Sequence, residues 1–577
     1  MNLRCMVFAL LGLLLASCSG GNGGGATGTP PPKNGTDAPK NATDPARKTA
    51  PASVWIDNHT PRACALTLDG QDQSTLEPFA SRFLDLAPGK HTFVLTCDGQ
   101  PAETIETVLA AGKITLVRPA SAGAYVLLSR TYTAAGTSSA GGEIDRTPAP
   151  KTGVVAADYG PLTAFPAALP GSEAATVTRT RIVRGLPENP DWVELEHFIL
   201  ADFRIYGFAD APSHLEAIFR LLPSHQERFS DEKLLGWLGI DSSSGKVQVP
   251  PDGTQPRPSA AAVAAALLLQ REKTQVLLEA FPTLTAAAAR AVVAILANPP
   301  APDELRRRIV TLGFGRSETE VLVEAAAALA DKSFIPDEAM VEALTATIER
   351  LNLDEGDKPA LVKQCASALV DAFYRHPAVV AREKTRRFLV RFAHPGLEPT
   401  LENARYALIE GRCASDLVPL FIHYTFDERT ELIGRLVAIA RKREAVGQDI
   451  LDLVRAALAD EDTRVRIVAA QAIPPLAAYL TPDNLAAFQD LLVRALHDPS
   501  LEVHREAARI LEIEGFVPTE QIADELVAAW RQLDGTDPQG VAERDYLAKL
   551  LKTSFEKNPG SEADKEWRER ALAALAP

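Results

Sequence analysis

Apolar residues change their spacing several times along this chain of 577 residues. Residues 6–15 form one apolar run, and residues 19–51 show no apolar period at all. Between 54 and 132 apolar and polar positions alternate in short segments, as strands with one buried face require. The segments are 54–57, 63–68, 82–86, 91–97, 104–109, 113–117 and 125–132. Asp69-Gly70, Pro88-Gly89 and Asp98-Gly99 supply turn residues between several of them. This pattern predicts a small antiparallel β-sandwich over 52–132. Residues 133–190 are rich in Gly, Ser, Pro and Thr and read as a partly ordered linker, with one more candidate strand at 176–183. From Asp191 the period becomes helical: Trp192, Leu195, Phe198, Ile199 and Phe203 share one face. Residues 191–258 read as a helical transition segment, and 259–577 as a long succession of helices.

Within that succession the sequence repeats. Pro302-Asp-Glu304, Ser317-Glu-Thr-Glu320, Pro336-Asp-Glu338 and Thr481-Pro-Asp483 mark helix starts. Asp460 and Asp498, Val465 and Val503, and Ala469 and Ala507 are each 38 residues apart. A fixed offset at several positions marks a repeat unit. The unit is an apolar helix, an Asp-containing turn, then a helix with Val-Arg and Ala-Ala; it resembles HEAT repeats. A weaker copy spans 388–410. The resemblance implies an α-solenoid over 259–577, in which Asp460 and Arg466 brace the turn and stacked neighbours share a core.

The amino-terminal pattern concerns export. Arg4 precedes the apolar run, which is too short for a stable membrane anchor, and Leu15-Ala-Ser-Cys18 follows it. This matches the lipobox of bacterial lipoproteins. It implies a signal peptide over 1–17 and lipidation (diacylglyceryl, then a further acyl chain such as palmitate) at Cys18. An ordinary secretory leader with a chance cysteine is the alternative. Ser19, rather than Asp, after the cysteine points to the outer membrane in bacteria that sort lipoproteins by that residue. Residues 18–51 then form a Gly/Pro-rich tether expected to be disordered, with an r.m.s. span of about 30 Å and a full reach of roughly 100 Å. In the strand-rich part, Leu86-Ala-Pro-Gly-Lys-His-Thr-Phe-Val-Leu followed by Cys97-Asp-Gly resembles PEGA-type surface modules, although the Pro-Glu-Gly-Ala motif itself is absent. That resemblance implies a structural or carbohydrate-facing module.

Charge and cysteines narrow the function. The formal net charge is -15, with no compact basic patch, which disfavours nucleic acid as a partner. Cys64 shares a strand face with Leu66 and Leu68, and Cys97 shares one with Phe93 and Leu95. An exported compartment permits oxidation, so a Cys64–Cys97 disulfide is expected, with two buried thiols as the alternative. Cys365 and Cys413 lie on helices, and spacing does not fix their distance. His197, His214 and His225 are 17 and 11 residues apart, without metal-ligand logic. Gly313-Phe-Gly315 lacks the third glycine of a dinucleotide loop, and Ser242-Ser-Ser-Gly245-Lys246 lacks the upstream glycine of a phosphate loop. The expectation is a non-catalytic envelope scaffold without cofactor or metal. It would be anchored by lipid and bind a protein, basic on its surface, through the repeats. The alternatives are a β module that contacts polysaccharide, or an unrecognised enzyme with its site in 186–258.

Overall fold

The computed structural model describes residues 51–575 apart from 121, 134–144, 150–153, 164, 167–175, 209, 248–256, 352–357, 397–400, 514–515 and 534. The expected leader, Cys18 and nearly all of the tether lie outside the described residues. The chain divides into two compact units, Met1–Pro302 and Asp303–Pro577. The division falls inside the stretch expected as one solenoid.

The first unit begins with β1 (Ala52–Asp57), β2 (Cys64–Leu68), β3 (Gln71–Asp72), β4 (Ser81–Leu86), β5 (Gly89–Cys97), β6 (Glu103–Leu109) and β7 (Ile114–Val117). It continues with β8 (Tyr125–Thr133), β9 (Asp145–Pro148), β10 (Val155–Ala157) and β11 (Thr176–Arg184). They form three sheets, ordered β10-β7-β1-β4, β3-β2-β5-β6 and β11-β8-β9. The first two face one core of Ala52, Val54, Ile56, Leu66, Phe93 and Leu95. The reverse face of the first sheet packs on the third through Trp55, Leu116, Tyr125, Val155 and Ile182. Two points differ from the expectation of one antiparallel sandwich ending at 132. β1 and β7 pair in parallel, and the segment read as linker supplies β9 and β10 besides β11, which falls at the candidate strand 176–183. The physical reason lies in β1, which is central: its neighbours Val54, Trp55 and Ile56 are all buried, on two different faces. A strand covered on both sides loses the alternation that would reveal a second layer.

Helices α1 (Trp192–Leu200), α2 (Ala211–Leu221), α3 (Asp231–Trp237), α4 (Pro258–Gln270), α5 (Thr274–Ala280) and α6 (Ala286–Leu296) complete this unit. α4 carries nine consecutive buried residues, from Ala260 to Leu268, and α1, α2, α3, α5 and α6 all pack against it. A helix buried all round must be apolar all round, which its Ala and Leu content provides.

The second unit holds α7 (Asp303–Phe314), α8 (Thr319–Ala328), α9 (Glu338–Arg350), α10 (Lys358–Arg375), α11 (Glu383–Ala393) and α12 (Glu402–Glu410). Next come α13 (Val418–Phe421), α14 (Phe426–Arg443), α15 (Gln448–Leu458), α16 (Thr463–Ala477), α17 (Leu485–Leu496), α18 (Leu501–Ala508), α19 (Glu520–Gln532), α20 (Pro538–Lys557) and α21 (Lys565–Ala574). Odd helices pack on odd neighbours and even on even, α15 on α17 and α16 on α18 among them. Between α11 and α15, a 3-10 turn at Ala414–Leu417 and the short α13 keep the odd layer continuous. The result is a two-layered helical repeat region. Val465 and Val503 are fully buried on α16 and α18, the successive stacked helices that the 38-residue offset requires.

Candidate functional site

The stack is held by polar rungs as well as by its apolar core. Arg429 of α14 reaches Asp460 at 2.5 Å, Arg466 of α16 reaches Asp498 at 2.7 Å, and Arg505 of α18 reaches Glu543 at 2.6 Å. Each arginine crosses to the following repeat. Arg466 also donates to the Asp460 carbonyl at 3.0 Å, so it braces its own turn while binding the next one. A second set of arginines completes helix carboxyl ends. Arg350 donates to the Gly315 carbonyl at 2.8 Å, and Arg443 to the Glu410 carbonyl at 3.0 Å. Those carbonyls lack partners inside their own helices and carry the negative end of the dipole, so a guanidinium satisfies both needs.

A cluster without such rungs lies across α10, α12 and α14 of the even layer. Tyr374 of α10 and Tyr406 of α12 have ring centroids 6.4 Å apart, and the Arg435 guanidinium of α14 lies 4.3 Å over the Tyr406 ring. The Tyr406 hydroxyl contacts Glu402 Oε1 at 2.5 Å and also meets Glu431 of α14. Burial and these two carboxylates push the hydroxyl above its ordinary range. Asn403 donates to Asp371 Oδ1 at 2.6 Å. Asp371, Glu402 and Glu431 therefore come from three consecutive even helices. Among the described residues none of the three forms an ion pair, and Glu402, Glu431 and Arg435 are exposed. One phenolic hydrogen cannot satisfy two carboxylates. This ledge can receive cationic and hydrogen-bonding groups from outside.

The first unit contains a different polar cluster, largely buried. Asp57 at the end of β1 accepts from Arg184 Nη2 at 2.5 Å, Arg184 Nε at 3.0 Å and the Tyr125 hydroxyl at 2.6 Å. Arg184 also donates to the Phe79 carbonyl at 3.0 Å and to His197 Nε2 at 2.9 Å. Guanidinium nitrogens only donate, so Nε2 must be the unprotonated nitrogen of His197. Burial, then the Arg184 charge, lowers both His59 and His197 to about 3. With Asp57 fully buried and Arg184 nearly so, the cluster clamps β1, β11 and α1 together.

The residues singled out in the sequence fall as follows. Cys18 lies outside the described residues. Cys64 and Cys97 face each other across β2 and β5 and are joined as a disulfide. Cys365 and Cys413 are buried free thiols, and burial pushes Cys365 up to about 12. Within 186–258, His197 belongs to the Arg184 cluster. His214 is buried against Phe198, Tyr206 and Phe208 and lowered to about 4 by that burial. Asp231 pairs with Arg271 and Lys273 there, and Glu196 with Lys233. Among the described residues no group of three His, Cys, Asp or Glu is placed to hold a metal ion. None of their helices is long and apolar enough to cross a membrane. The ledge on α10, α12 and α14 had no sequence signal beyond the alternation of helix faces, because its members are spread over 65 residues, from Asp371 to Arg435.

No protein-family model matches the chain, and no curated protein matches it. Among solved structures the chain is similar to one described under "Structure of the Pds5-Scc1 complex and implications for cohesin function". Identity is 13%, the TM-score is 0.33, and the match covers 66% of this chain. It spans 65% of the length of that other chain.

Proposed function

We propose that this protein is a lipid-anchored scaffold of the cell envelope that binds another protein along the even layer of a HEAT-like solenoid. The observation that carries the reading is the ledge. Three carboxylates without ion-pair partners among the described residues, together with two tyrosines, cluster across three consecutive even helices. Stacked repeats give long surfaces suited to extended partners. Unpaired carboxylates beside aromatic rings favour Lys or Arg on the incoming surface, so association weakens as salt rises. The leader and Leu-Ala-Ser-Cys18 support lipid anchoring, with the outer membrane favoured by Ser19.

The test is affinity capture from detergent-solubilised envelope at low salt, using the full-length protein and a Glu402→Lys, Glu431→Lys variant. The expected result is one co-purifying protein that elutes with salt and is absent from the variant capture. Equal capture by both proteins would remove the ledge from the account. Retention of a polysaccharide by both, with no specific protein, would favour the β module as the binding part.

A further inference from the structure

Phe79, in the connection before β4, has a φ of 58°. That is the left-handed region, where a bulky side chain costs free energy. Asp69, Glu272, Arg412 and Glu444 also have positive φ, and none of them is aromatic. The turn around Phe79 is pinned at both ends by one residue. Asn58 donates from its side chain to the Glu77 carbonyl at 2.9 Å and from its amide to the Ala80 carbonyl at 3.0 Å. Between these pins Pro78 has no N–H to contribute. The Phe79 amide donates to the Thr60 carbonyl at 3.1 Å, and the Phe79 carbonyl accepts from Arg184 Nη2 at 3.0 Å.

What Phe79 covers is polar. Its ring stacks on His197 with centroids 4.2 Å apart and planes inclined by 14°, while its carbonyl reaches the buried Arg184. Beside Arg184 lies Tyr206, a side chain 5% exposed. Its hydroxyl meets no hydrogen-bond partner of good geometry among the described residues. A buried hydroxyl left without a partner is unfavourable. In form, Phe79 is an aromatic ring joined through two carbons to one carbonyl oxygen. That single neutral oxygen serves Arg184 and leaves Tyr206 unsatisfied. A carboxylate in the same place has two oxygens and a charge, and can accept from Arg184 Nη2 and Tyr206 Oη together. Arg118, over the Tyr125 ring at 4.5 Å, acts on the same interior, so an incoming anion meets two guanidiniums as well as the Asp57 carboxylate.

We infer that the turn from Glu77 to Ala80 is a flap over a binding site for an aromatic carboxylate, with Phe79 as its built-in occupant. When the flap swings out on Asn58, the incoming ring stacks on His197 and the carboxylate accepts from Arg184 and Tyr206. Opening lets the φ of Phe79 return to negative values, which favours release. The ligand class follows from the group that leaves. 3-Phenylpropionate has the ring-to-carboxyl spacing of Phe79 itself, and a peptide ending in phenylalanine presents the same group. The site stands apart from the ledge and from lipidation.

Calorimetric titration of the full-length chain tests it, with 3-phenylpropionate, its amide and the tripeptide Gly-Gly-Phe as probes. The comparison is Phe79→Gly, which accepts this φ without strain and removes only the occupant. The expected result is that Phe79→Gly binds 3-phenylpropionate at least about tenfold tighter than the native chain, which must first open. The amide should bind about tenfold more weakly than the acid. Tyr206→Phe, which removes a hydroxyl without a partner and so keeps the fold, should abolish most of that preference when added to Phe79→Gly. Binding of the tripeptide as well assigns the site to a peptide end, and binding of the small acid alone to a free aromatic acid; both support the site. Equal affinities of native and variant chains, or no binding by a folded Phe79→Gly chain, would overturn it. Hydrogen exchange of the native chain is the second measurement. The Phe79 amide should exchange at least about tenfold faster than the Asn58 amide at the pin, and equal protection of the two would remove the flap.

Discussion

Arg184 joins segments that are far apart in sequence: Asp57 precedes it by 127 residues, and Phe79 by 105. Removing the guanidinium leaves the Asp57 carboxylate buried without its cation. Arg184→Met is therefore expected to destabilise the first unit by about 3–5 kcal/mol, read by urea unfolding. A double Arg184→Met, Asp57→Leu variant should recover much of that loss, because the buried charge goes with its partner. Three buried histidines of the first unit, two of them in this cluster, set an acid limit. His59, His197 and His214 are held neutral, with folded values of about 3, 3 and 4, below the ordinary 6.5. Their unfolded forms take up protons first. The stability these groups contribute is complete above pH 6.5 and is lost as pH falls from there toward 3. Unfolding near pH 5 should take up about three extra protons, and His59→Gln with His197→Gln should flatten the pH dependence of the urea midpoint. None of this convergence was legible in the sequence, since periodicity tells which side chains are buried but not which charges meet. The Cys64 and Cys97 positions were legible because each falls on the apolar face of its own strand.

At the scale of helices and strands, the rungs give the sharpest expectation. Asp498 receives Arg466 from the preceding repeat and caps its own turn by accepting from the Ser500 amide at 2.9 Å. Asp498→Ala is expected to cost about 1–3 kcal/mol, the range for lost charged hydrogen bonds. A matched change at the exposed Asp490, which meets only the surface Arg455 at 3.2 Å, should stay within about 0.5 kcal/mol. The repeat was readable where Asp, Val and Ala-Ala return at a fixed offset. It blurred between 383 and 443 because one odd helix is reduced to the four residues of α13 and a preceding turn. Two strands of the third sheet were legible, at 125–132 and 176–183, but their pairing into a separate sheet was not, for a related reason. Its strands are separated by long Gly- and Ser-rich segments, and their pairing, Tyr125 with Arg184 and Val126 with Val183, is non-local.

For the whole molecule, the proposed function joins a lipid-anchored amino terminus to a helical stack that meets a partner. Fold alone does not establish binding, because stacked helices serve many roles; what favours binding is the unbalanced charge of the ledge. The most direct measurement places a photo-crosslinking amino acid at Ala438, an exposed position of α14 on the helix face of Glu431 and Arg435. The control position is Ala486, exposed on α17 of the odd layer. Both are irradiated in intact cells. The account predicts one discrete protein adduct from Ala438, lost when Glu402→Lys and Glu431→Lys are added and when Cys18→Ala releases the chain from the membrane, and no adduct from Ala486. No adduct from Ala438, or equal adducts from both positions, would contradict it.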